Sequence, residues 1–496
     1  MVVSKTSIFA IKEREAIKPS KLSINEKKDE VIISKSFKRL HRLAFKARQS
    51  SFDTTNPETS KDTFRGFYTL FWIAMGFYTI LTLVRCYEQD GVVLSLSFFR
   101  LMSKDTVALF IADILMISQT FLVIPFALLM MKGYIKRKPV GIILQHSLQT
   151  AFLFSNIYWV FWRKWPMTQT TFFTLHTIVM MMKMHSYIEL NGDLATKYRR
   201  LISLKEKIPK WVKDRETAAG DENSRGYSLK DQSELANMES EIKFLNEELT
   251  HGKTHYPENL TIMNYVDYLA VPTLIYCLEY PRIDRIRPKY LLEKTTAIIG
   301  TFLLLYITTE RYIYPQLYNP NMSDIRVVLE VLFPFMMNYM FLFYIIFECI
   351  LNWFAEITKF ADRNFYDDWW NSVTFDEYAR KWNKPVHHWL LRHVYAISMD
   401  NYKISKQSAS FLTFLFSSCL HELVMVIITR KLRMYLFCLQ MSQIPLINLG
   451  RQPFIKNNPT LGNVIFWIGM FIGPPLLGIL YTRQAFWENR YDAGLA

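Results

Sequence analysis

Cysteine is scarce in this 496-residue chain, which has five cysteines, scattered and mostly inside apolar runs. No two of them have the CxxC spacing or another spacing of metal ligands, which argues against a zinc or redox site built on cysteine. We therefore expect the thiols to be buried as small hydrophobic groups. The five are Cys86, Cys277, Cys349, Cys419 and Cys438.

The sequence also has no apolar segment close to Met1, so we expect no cleaved signal peptide and take the first transmembrane helix as the signal. It has no internal repeat, which argues against the repeat-built folds of many transporters. The acids Asp362, Asp367 and Asp368 have no second acid-rich motif to pair with. A divalent-metal site for a diphosphate substrate is therefore disfavoured, and no metal site is predicted.

Half of the chain is apolar and 15% is aromatic, yet the mean hydropathy is only +0.05. That low average hides a contrast between apolar and charged blocks, which is typical of a multi-pass membrane protein with soluble insertions. The formal net charge is +15. Because the basic residues mainly flank apolar runs, they favour cytosolic loops near anionic lipid over nucleic-acid binding.

Apolar runs near the ~20 residues that a helix needs to cross the hydrocarbon core recur along the chain. The sequence therefore predicts an all-α polytopic membrane protein with about nine transmembrane helices and cytosolic amphipathic helices. The basic stretch TRKLR at 429–433 would be lumenal in this topology, so either the eighth run is re-entrant or that loop snorkels. The predicted spans are 66–86, 107–131, 140–162, 169–190, 292–312, 327–355, 408–430, 433–449 and 461–483.

The loop KGYIKRKP after the second run carries four Lys or Arg in eight residues, so the positive-inside rule places it in the cytosol. The basic tail at 1–65 lies on the same side, either disordered or forming a membrane-surface or self-association helix. So does the charged insertion at 191–260, whose end has the spacing of an amphipathic surface helix. The transmembrane domain then spans 66–483 and is followed by a short tail at 484–496.

The seventh apolar run contains His421 and Glu422 near its middle, where an ionisable group costs about 3 kcal/mol on insertion scales. On a helix, Ser410, Thr413, Ser417 and His421 form one polar stripe, which we expect to face the interior of the bundle. One interpretation is a hydrogen-bonded seam between helices. The other is a histidine in a water-poor tunnel that acts as a general base and is kept neutral by desolvation.

The segment FYDDWWNSVTFDEYARKWNKPVHHW at 365–389 combines aromatic, acidic and histidine residues beside apolar runs. Its tryptophans, with Tyr and Phe, suit the lipid headgroup belt. We expect Asp367 or Asp368 to accept hydrogen bonds from backbone or indole N–H groups of the turn. Pro385 discourages a continuous helix after Asn383, so we predict a bent interfacial segment whose amide and imidazole groups donate to a developing oxyanion.

Taken together, FYDDWWN, WNKPVHHWLLRHVY and the intramembrane SSCLHEL resemble the sterol O-acyltransferase and diacylglycerol acyltransferase branch of the membrane-bound O-acyltransferases (MBOAT). The motif FYxDWWN is carried by Phe365, Tyr366, Asp368, Trp369, Trp370 and Asn371. Two further stretches, MKMHSY at 182–187 and PTLIYCLEYPRIDRIR at 272–287, favour the fungal sterol enzymes. The resemblance covers roughly residues 66–483.

The resemblance implies a nine-helix enzyme of the endoplasmic reticulum membrane that is a homodimer or homotetramer. It implies transfer of a long-chain acyl group from acyl-CoA to a sterol hydroxyl, giving steryl esters for lipid droplets, with acyl-CoA as co-substrate and no cofactor. The family's catalytic histidine falls on His421 and its catalytic asparagine on Asn383. Its acyl-CoA contacts fall on Trp382, His387, Tyr395, Lys406 and Ser417. We expect Arg392, close to these positions, to be solvated or lipid-facing.

Three other functions remain open from the sequence. The nearest is acyl transfer to diacylglycerol, which shares the chemistry. A proton-coupled transporter would use the buried histidine as a relay, and a scaffold would use the charged insertion as its binding arm. Neither of the last two explains the aromatic and acidic segment together with the intramembrane polar stripe.

Overall fold

The computed structural model describes residues 45–53, 56–61, 65–92, 103–218 and 229–492, and these are mostly helical. Two short strands, Thr250–His251 and Thr254–His255, form an antiparallel hairpin. The all-α fold class is therefore confirmed. Most of the basic tail predicted at 1–65 lies outside the described residues. The last helix, Pro459–Asp492, runs through the boundary predicted at residue 483.

Ser, Thr and Asn side chains cap several helix starts, as expected for residues that can accept a hydrogen bond from a free backbone N–H. These caps are Thr261, Ser323, Thr374, Asn383 and Ser405. The α-helices are Pro57–Lys61, Arg65–Asp90, Thr106–Thr120, Val123–Lys132, Ile142–Arg163, Met167–Ala218, Leu229–Leu249, Ile262–Ala270, Pro288–Thr308, Tyr314–Leu317, Asp324–Phe343, Leu351–Ile357, Phe375–Trp382, Lys384–Leu390, Ile397–Tyr402, Lys406–Thr429, Tyr435–Met441, Gln443–Gly450, Pro453–Lys456 and Pro459–Asp492. Wider π-helical turns are Thr309–Ile313, Tyr344–Ile350 and Leu391–Ala396, and Trp369–Asn371 is a 3₁₀ turn. The segment Arg137–Gly141 is a kink, because Lys138 has an extended backbone with φ of -116° and ψ of 137°.

Six helices within the described residues are long and apolar enough to cross a membrane, and they match six of the nine predicted spans. The third and fourth predicted spans are also helical, in Ile142–Arg163 and Met167–Ala218. These two helices are not among the six that are long and apolar enough to cross a membrane. The eighth is divided between two short helices that meet at Ser442, too short to cross singly. The number nine stays a prediction. The six are Gly66–Asp90, Thr106–Lys132, Pro288–Leu317, Asp324–Ile357, Lys406–Thr429 and Pro459–Arg483.

The helix Met167–Ala218 joins the membrane domain to the charged insertion. Its 52 residues correspond to about 78 Å, far more than the ~30 Å hydrocarbon core. The insertion predicted to begin at residue 191 therefore begins inside a continuous helix. Its amphipathic end is confirmed as the helix Leu229–Leu249, which folds back antiparallel along the long helix. Ion pairs tie the two together: Lys197–Glu248, Arg200–Glu241 and Arg215–Asp231.

The chain before the first span, Phe45–Asp53, lies across the protein as an extended strap. Arg48 forms two hydrogen bonds with the carboxylate of Asp362, at 2.8 and 2.9 Å, and its backbone pairs with the segment around that residue. Asp53 forms an ion pair with Arg287 at 2.9 Å. The strap therefore fixes the chain immediately before the FYxDWWN motif.

Glu348 is the centre of a fully buried polar network. Its carboxylate accepts hydrogen bonds from Lys294 Nζ at 2.8 Å, Ser50 Oγ at 2.6 Å and Tyr366 OH at 3.0 Å. Lys294 and Glu348 have side chains that are 1% and 0% exposed. A charge in such a place requires a partner, because water cannot solvate it. The network joins two membrane helices, the strap and the motif.

The cysteine prediction is only partly confirmed. Cys86 and Cys349 are buried and Cys277 is half-buried, whereas Cys419 and Cys438 are exposed. Both exposed thiols lie on faces that this chain leaves uncovered, one on the helix Lys406–Thr429 and one on Tyr435–Met441. An apolar run in a membrane protein has a lipid-facing side, so membership in the run does not predict burial within the protein.

We expect Glu348→Ala to lower the stability of the folded protein by about 3–5 kcal/mol, because the substitution removes the buried partner of Lys294 and leaves it only the half-exposed Glu293, at 3.5 Å. Thermal unfolding in detergent measures the change. The control is Glu330→Ala, which removes a carboxylate from a mostly exposed ion pair with Arg326 and should cost at most about 1 kcal/mol. Equal shifts for the two variants would contradict the structural role of the network.

Candidate active site

The stretches MKMHSY, PTLIYCLEYPRIDRIR and WNKPVHHWLLRHVY are distant in sequence but meet in the fold. The hydroxyl of Ser186 accepts a hydrogen bond from the backbone N–H of Tyr276 at 2.9 Å and lies 3.0 Å from His393 Nε2. The indole Nε1 of Trp389 donates to the carbonyl oxygen of Met182 at 3.0 Å. The long helix therefore holds the segment that follows Asn383.

Lys183, inside the fourth apolar run, is a structural residue that the sequence interpretation missed. Its ammonium group donates to the carbonyl oxygens of Tyr268, Leu269 and Val271 at 2.9–3.0 Å. These carbonyls end the helix Ile262–Ala270, where a cation is favourable. The available signal was the lysine itself, because a charge in an apolar run needs a partner.

The FYxDWWN motif forms part of the protein core. Phe365, Tyr366 and Trp369 are 2%, 7% and 1% exposed, so the prediction that they lie in the lipid headgroup belt is wrong. The reason is tertiary: aromatic rings from other helices surround Trp369. Those rings belong to Tyr339, Phe343, Tyr378, Trp382 and Trp467.

The other end of the motif is tied to the last helix. The carbonyl oxygen of Trp370 accepts hydrogen bonds from Asn463 Nδ2 at 3.0 Å and Trp467 Nε1 at 3.2 Å. Asn371 is exposed, and its amide is 3.4 Å from Asp368 Oδ2. The motif is therefore a compact turn between the membrane helices and the segment that carries Asn383.

The acids of the motif bind lysines. Asp367 pairs with Lys384 at 2.7 Å, and Asp368 pairs with Lys381 at 2.9 Å. The prediction that these carboxylates accept from backbone or indole N–H groups of the turn is therefore wrong. A bend in the chain returns the two lysines to the motif, and a charged donor forms the stronger hydrogen bond. Asp362 binds Arg48 of the strap instead.

Asn383 lies between two helices, as the proline predicts. The helix Phe375–Trp382 ends there, and Lys384–Leu390 begins with Pro385 in its first turn. The side-chain oxygen of Asn383 accepts a hydrogen bond from the backbone N–H of Val386 at 3.2 Å. The amide nitrogen then points away from the cap, and it has no hydrogen-bond partner among the described residues. The predicted bend is confirmed, and its side chain offers a free donor.

His421 is held by its own helix. Its Nδ1 lies 2.8 Å from the carbonyl oxygen of Ser417. A carbonyl oxygen can only accept, so Nδ1 carries the proton, and in the neutral ring Nε2 keeps the lone pair. The expectation of a sequestered ring is wrong for the single chain, because His421 is exposed. The face of this helix that packs against the protein carries Ala409, Ser418 and Glu422 instead.

Glu422 is the buried acid of this helix, and its role is structural. Its carboxylate accepts from the backbone N–H groups of Met434 and Phe437, at 2.7 and 3.0 Å, and from Tyr481 OH. Glu422 therefore fixes the chain that follows the His421 helix and joins it to the last helix. Sequence placed His421 and Glu422 together, but neighbouring positions on a helix point about 100° apart.

The five residues predicted to contact acyl-CoA lie on four helical elements. Trp382 is half-buried and stacks on Tyr339 at 4.7 Å. His387 and Tyr395 are half-buried on the segment that follows Asn383, and Lys406 is exposed at the start of the His421 helix. Ser417 contributes the carbonyl that holds His421. Their contacts with acyl-CoA stay predictions.

Arg392 corrects another expectation, that it would be solvated or lipid-facing. It is 2% exposed and interacts with Cys277. Burial raises the pKa of the Cys277 thiol, and the nearby guanidinium opposes that rise. Arg392 therefore joins the segment after Asn383 to residues 272–287 rather than forming part of an open cationic surface.

A cavity lined by both apolar and polar side chains lies beside the start of the Asn383 helix. Phe45 and Arg48 of the strap form one wall, and Pro385 and His388 form another. Pro272, Thr273 and Ile275 contribute a third wall. The strap, the motif and the segment after Asn383 therefore surround a common space.

Comparison with known proteins gives a consistent result. A sequence model of the MBOAT, membrane-bound O-acyltransferase family matches residues 141–482. "Probable sterol O-acyltransferase 1" of Schizosaccharomyces pombe is 38% identical over 465 residues, which are 89% of this chain and 86% of the relative. "Probable sterol O-acyltransferase 2" of the same organism is 36% identical over an alignment that covers 84% of this chain and 87% of the relative. "Diacylglycerol O-acyltransferase 1" of Dictyostelium discoideum is 38% identical, but the alignment covers only 47% of this chain and 39% of the relative.

The paired histidines after Asn383 predict an acid-sensitive fold. Burial first, and then neighbouring Arg380 and Lys384, lower the pKa of His387 to about 4. Burial, with His387 and Lys384 nearby, lowers the pKa of His388 to about 4. Between that pH and the ordinary histidine value of ~6.5, the unfolded chain binds protons that the folded chain does not. Stability should therefore fall as the pH drops through this window.

Thermal unfolding in detergent at pH 7 and pH 5 measures this effect. We expect the loss of thermal stability on acidification to be smaller in His387→Gln/His388→Gln than in the unsubstituted protein. The control is His251→Gln, at an exposed position in the first strand of the β-hairpin, which should keep the full loss. An unchanged pH dependence in the double variant would contradict the assignment.

Proposed function

The chain belongs to the membrane-bound O-acyltransferase family, and from that membership we propose that it transfers a long-chain acyl group from acyl-CoA to a sterol hydroxyl. The product is a steryl ester. The family is one of acyltransferases, and the relatives that align along most of this chain are named for the sterol reaction. The observation that carries the proposal is the orientation of His421, whose base nitrogen has no hydrogen-bond partner in the described part of the chain and lies on a helix apolar enough to cross a membrane.

In the proposed mechanism, His421 Nε2 accepts the proton of the sterol hydroxyl as that oxygen attacks the thioester carbonyl carbon. The new C–O bond forms, and the C–S bond then breaks. Coenzyme A leaves as a thiolate and takes the proton from the imidazolium ring. The Ser417 carbonyl holds Nδ1–H throughout and so keeps the ring in the tautomer that a base requires. General-base assistance of this kind contributes about 10²–10⁴-fold.

Asn383 supplies the second group. Its amide nitrogen would donate a hydrogen bond to the carbonyl oxygen as negative charge develops there. The cap at Val386 N holds the side-chain oxygen, so the donor is oriented before the substrate binds. Preorganised donors of this type contribute about 3–4 kcal/mol to transition-state stabilisation.

The chain between Asn383 and His421 supports a common site. From Lys384 to Tyr402 it is helical, it reverses at Lys403 with φ of 51°, and it continues as the helix Lys406–Thr429, which packs on Leu391–Ala396. At 1.5 Å per residue, the first arm rises about 27 Å and the second about 22 Å up to His421. Both groups would therefore lie at similar heights along one helical hairpin.

The exposure of His421 fits a hydrophobic acceptor. A sterol partitions into the bilayer, so it can approach an imidazole on a lipid-facing or tunnel-facing helix without crossing water. Coenzyme A is strongly charged and must come from the cytosolic side, where Lys406 begins the same helix. We further propose contacts between acyl-CoA and Trp382, His387, Tyr395, Lys406 and Ser417.

We also propose that the protein resides in the endoplasmic reticulum membrane, as a homodimer or homotetramer, and that its esters enter lipid droplets. These proposals rest on the family resemblance. The alternative acceptor is diacylglycerol, supported by the partial match to the Dictyostelium enzyme. The two acceptors require the same base and donor, so only an acceptor assay separates them.

We expect microsomes containing the protein to transfer labelled acyl groups from acyl-CoA to a sterol in preference to diacylglycerol. His421→Ala should reduce this transfer at least ~100-fold, while the protein still enters the membrane. A matched control is His146→Ala, which removes another exposed histidine from an apolar helix and should leave transfer near normal. Substantial esterification by the His421 variant would contradict the role of His421 as the base. Preferential labelling of triacylglycerol would show that the acceptor is diacylglycerol and not a sterol.

We expect Asn383→Asp to lower kcat about 100-fold or more, because an aspartate can retain the cap but has no N–H to donate. The KM for acyl-CoA should change much less. Thr261→Ala, which removes a cap from another helix, controls for the loss of a cap and should stay active. Normal turnover by a monodisperse Asn383→Asp protein would show that the amide donor is dispensable.

A further inference from the structure

Two backbone hydrogen bonds link the FYxDWWN motif to the two sides of Asn383. Before the bend, Asp367 N–H donates to the carbonyl oxygen of Lys381 at 2.9 Å. After the bend, Lys384 N–H donates to the carbonyl oxygen of Phe365 at 3.0 Å. The dipeptide Trp382–Asn383 is therefore enclosed between two points of attachment to the motif.

Two ion pairs between side chains also link the motif to the residues on either side of Trp382–Asn383. Lys384 Nζ lies 2.7 Å from Asp367 Oδ2, and Lys381 Nζ lies 2.9 Å from Asp368 Oδ1. Asp367 is the residue at the variable position x of the FYxDWWN motif. Its partner Lys384 is 12% exposed, whereas both aspartates are about half exposed. Water therefore screens each pair partly, and each acts together with a backbone bond.

We propose that Asp367 and Lys384, assisted by Asp368 and Lys381, are positioning residues that hold the Asn383 amide in its reactive orientation. We call these four residues the clamp. The inference rests on the proposed role of Asn383 as the oxyanion donor. The clamp lysines are committed to motif carboxylates, so they act through Asn383 and not as phosphate ligands of coenzyme A.

The two pairs of the clamp should differ in importance. Lys381 has a second carboxylate, Glu377, at 2.8 Å on its own helix, so losing Asp368 leaves it paired. Lys384 has no second carboxylate partner within the described residues. A partly exposed ion pair contributes up to about fivefold in an equilibrium, and small displacements of a reacting group have large kinetic effects. Asp367→Asn should therefore lower kcat about fivefold or more, and Asp368→Asn less.

The decisive experiment measures kcat and the KM for acyl-CoA in microsomes for Asp367→Asn, Asp367→Lys and Asp367→Lys/Lys384→Asp. We expect both single variants to lose kcat with KM within about twofold, and the reversed pair to regain most of the activity. Asp376→Asn, which breaks the Arg380 pair within the neighbouring helix, is the matched control and should keep normal kinetics. Size-exclusion chromatography in detergent checks that each protein is monodisperse.

A second measurement separates positioning from general support of the fold. In an Asn383→Asp background, Asp367→Asn should cause no further loss, because the donor that the clamp holds is already absent. An additive loss there, a reversed pair that stays inactive although monodisperse, or normal kcat for Asp367→Asn would each overturn the clamp. A lower KM for acyl-CoA in Asp367→Asn would also overturn it, since that result assigns Lys384 to the phosphates. Full activity of Asn383→Asp alone would instead reject the proposed role of Asn383 as the oxyanion donor.

Discussion

The hydrogen bond from Val386 N–H to the side-chain oxygen of Asn383 is the constraint on which the candidate site depends. It starts the helical arm that leads through a reversal to the His421 helix. It leaves the amide nitrogen without a partner among the described residues. One polar side chain therefore sets both the direction of a helix and the orientation of a donor. Any group that moves this bend moves the donor and changes the path of the chain toward the imidazole.

Polar groups in the membrane domain fall into two classes, and the difference indicates which of them are structural. Lys183, Glu348 and Glu422 are buried, and each has at least three hydrogen bonds from or to the protein. Such groups stabilise the fold, since an unpaired buried charge costs several kcal/mol. His421 is exposed, and only one of its ring nitrogens has a partner among the residues that the structure describes. In an apolar surrounding, the other nitrogen is the one available to a substrate.

The FYxDWWN motif supports the site from both directions. Its aromatic residues pack between membrane helices, and the strap holds the chain just before it through Arg48 and Asp362. Its acids face the bend and pair with Lys381 and Lys384. The motif thus attaches the bend at Asn383 to the rigid aromatic core. Without this attachment the bend would be a short, solvent-facing turn. Rigid support of this kind is what a preorganised donor requires.

Local sequence determined the helical class, most apolar spans and the bend before Pro385, because helix period, span length and proline geometry are properties of a few consecutive residues. It did not determine which faces are covered. Trp369 was assigned to lipid and is core, Arg392 was assigned to the surface and is buried, and Asp367 pairs with a lysine 17 residues away. Burial and charge pairing arise only when distant segments meet. The sequence of one segment does not specify which other segments will pack against it. Tertiary structure therefore decided which polar groups are enclosed and which, like His421, remain open.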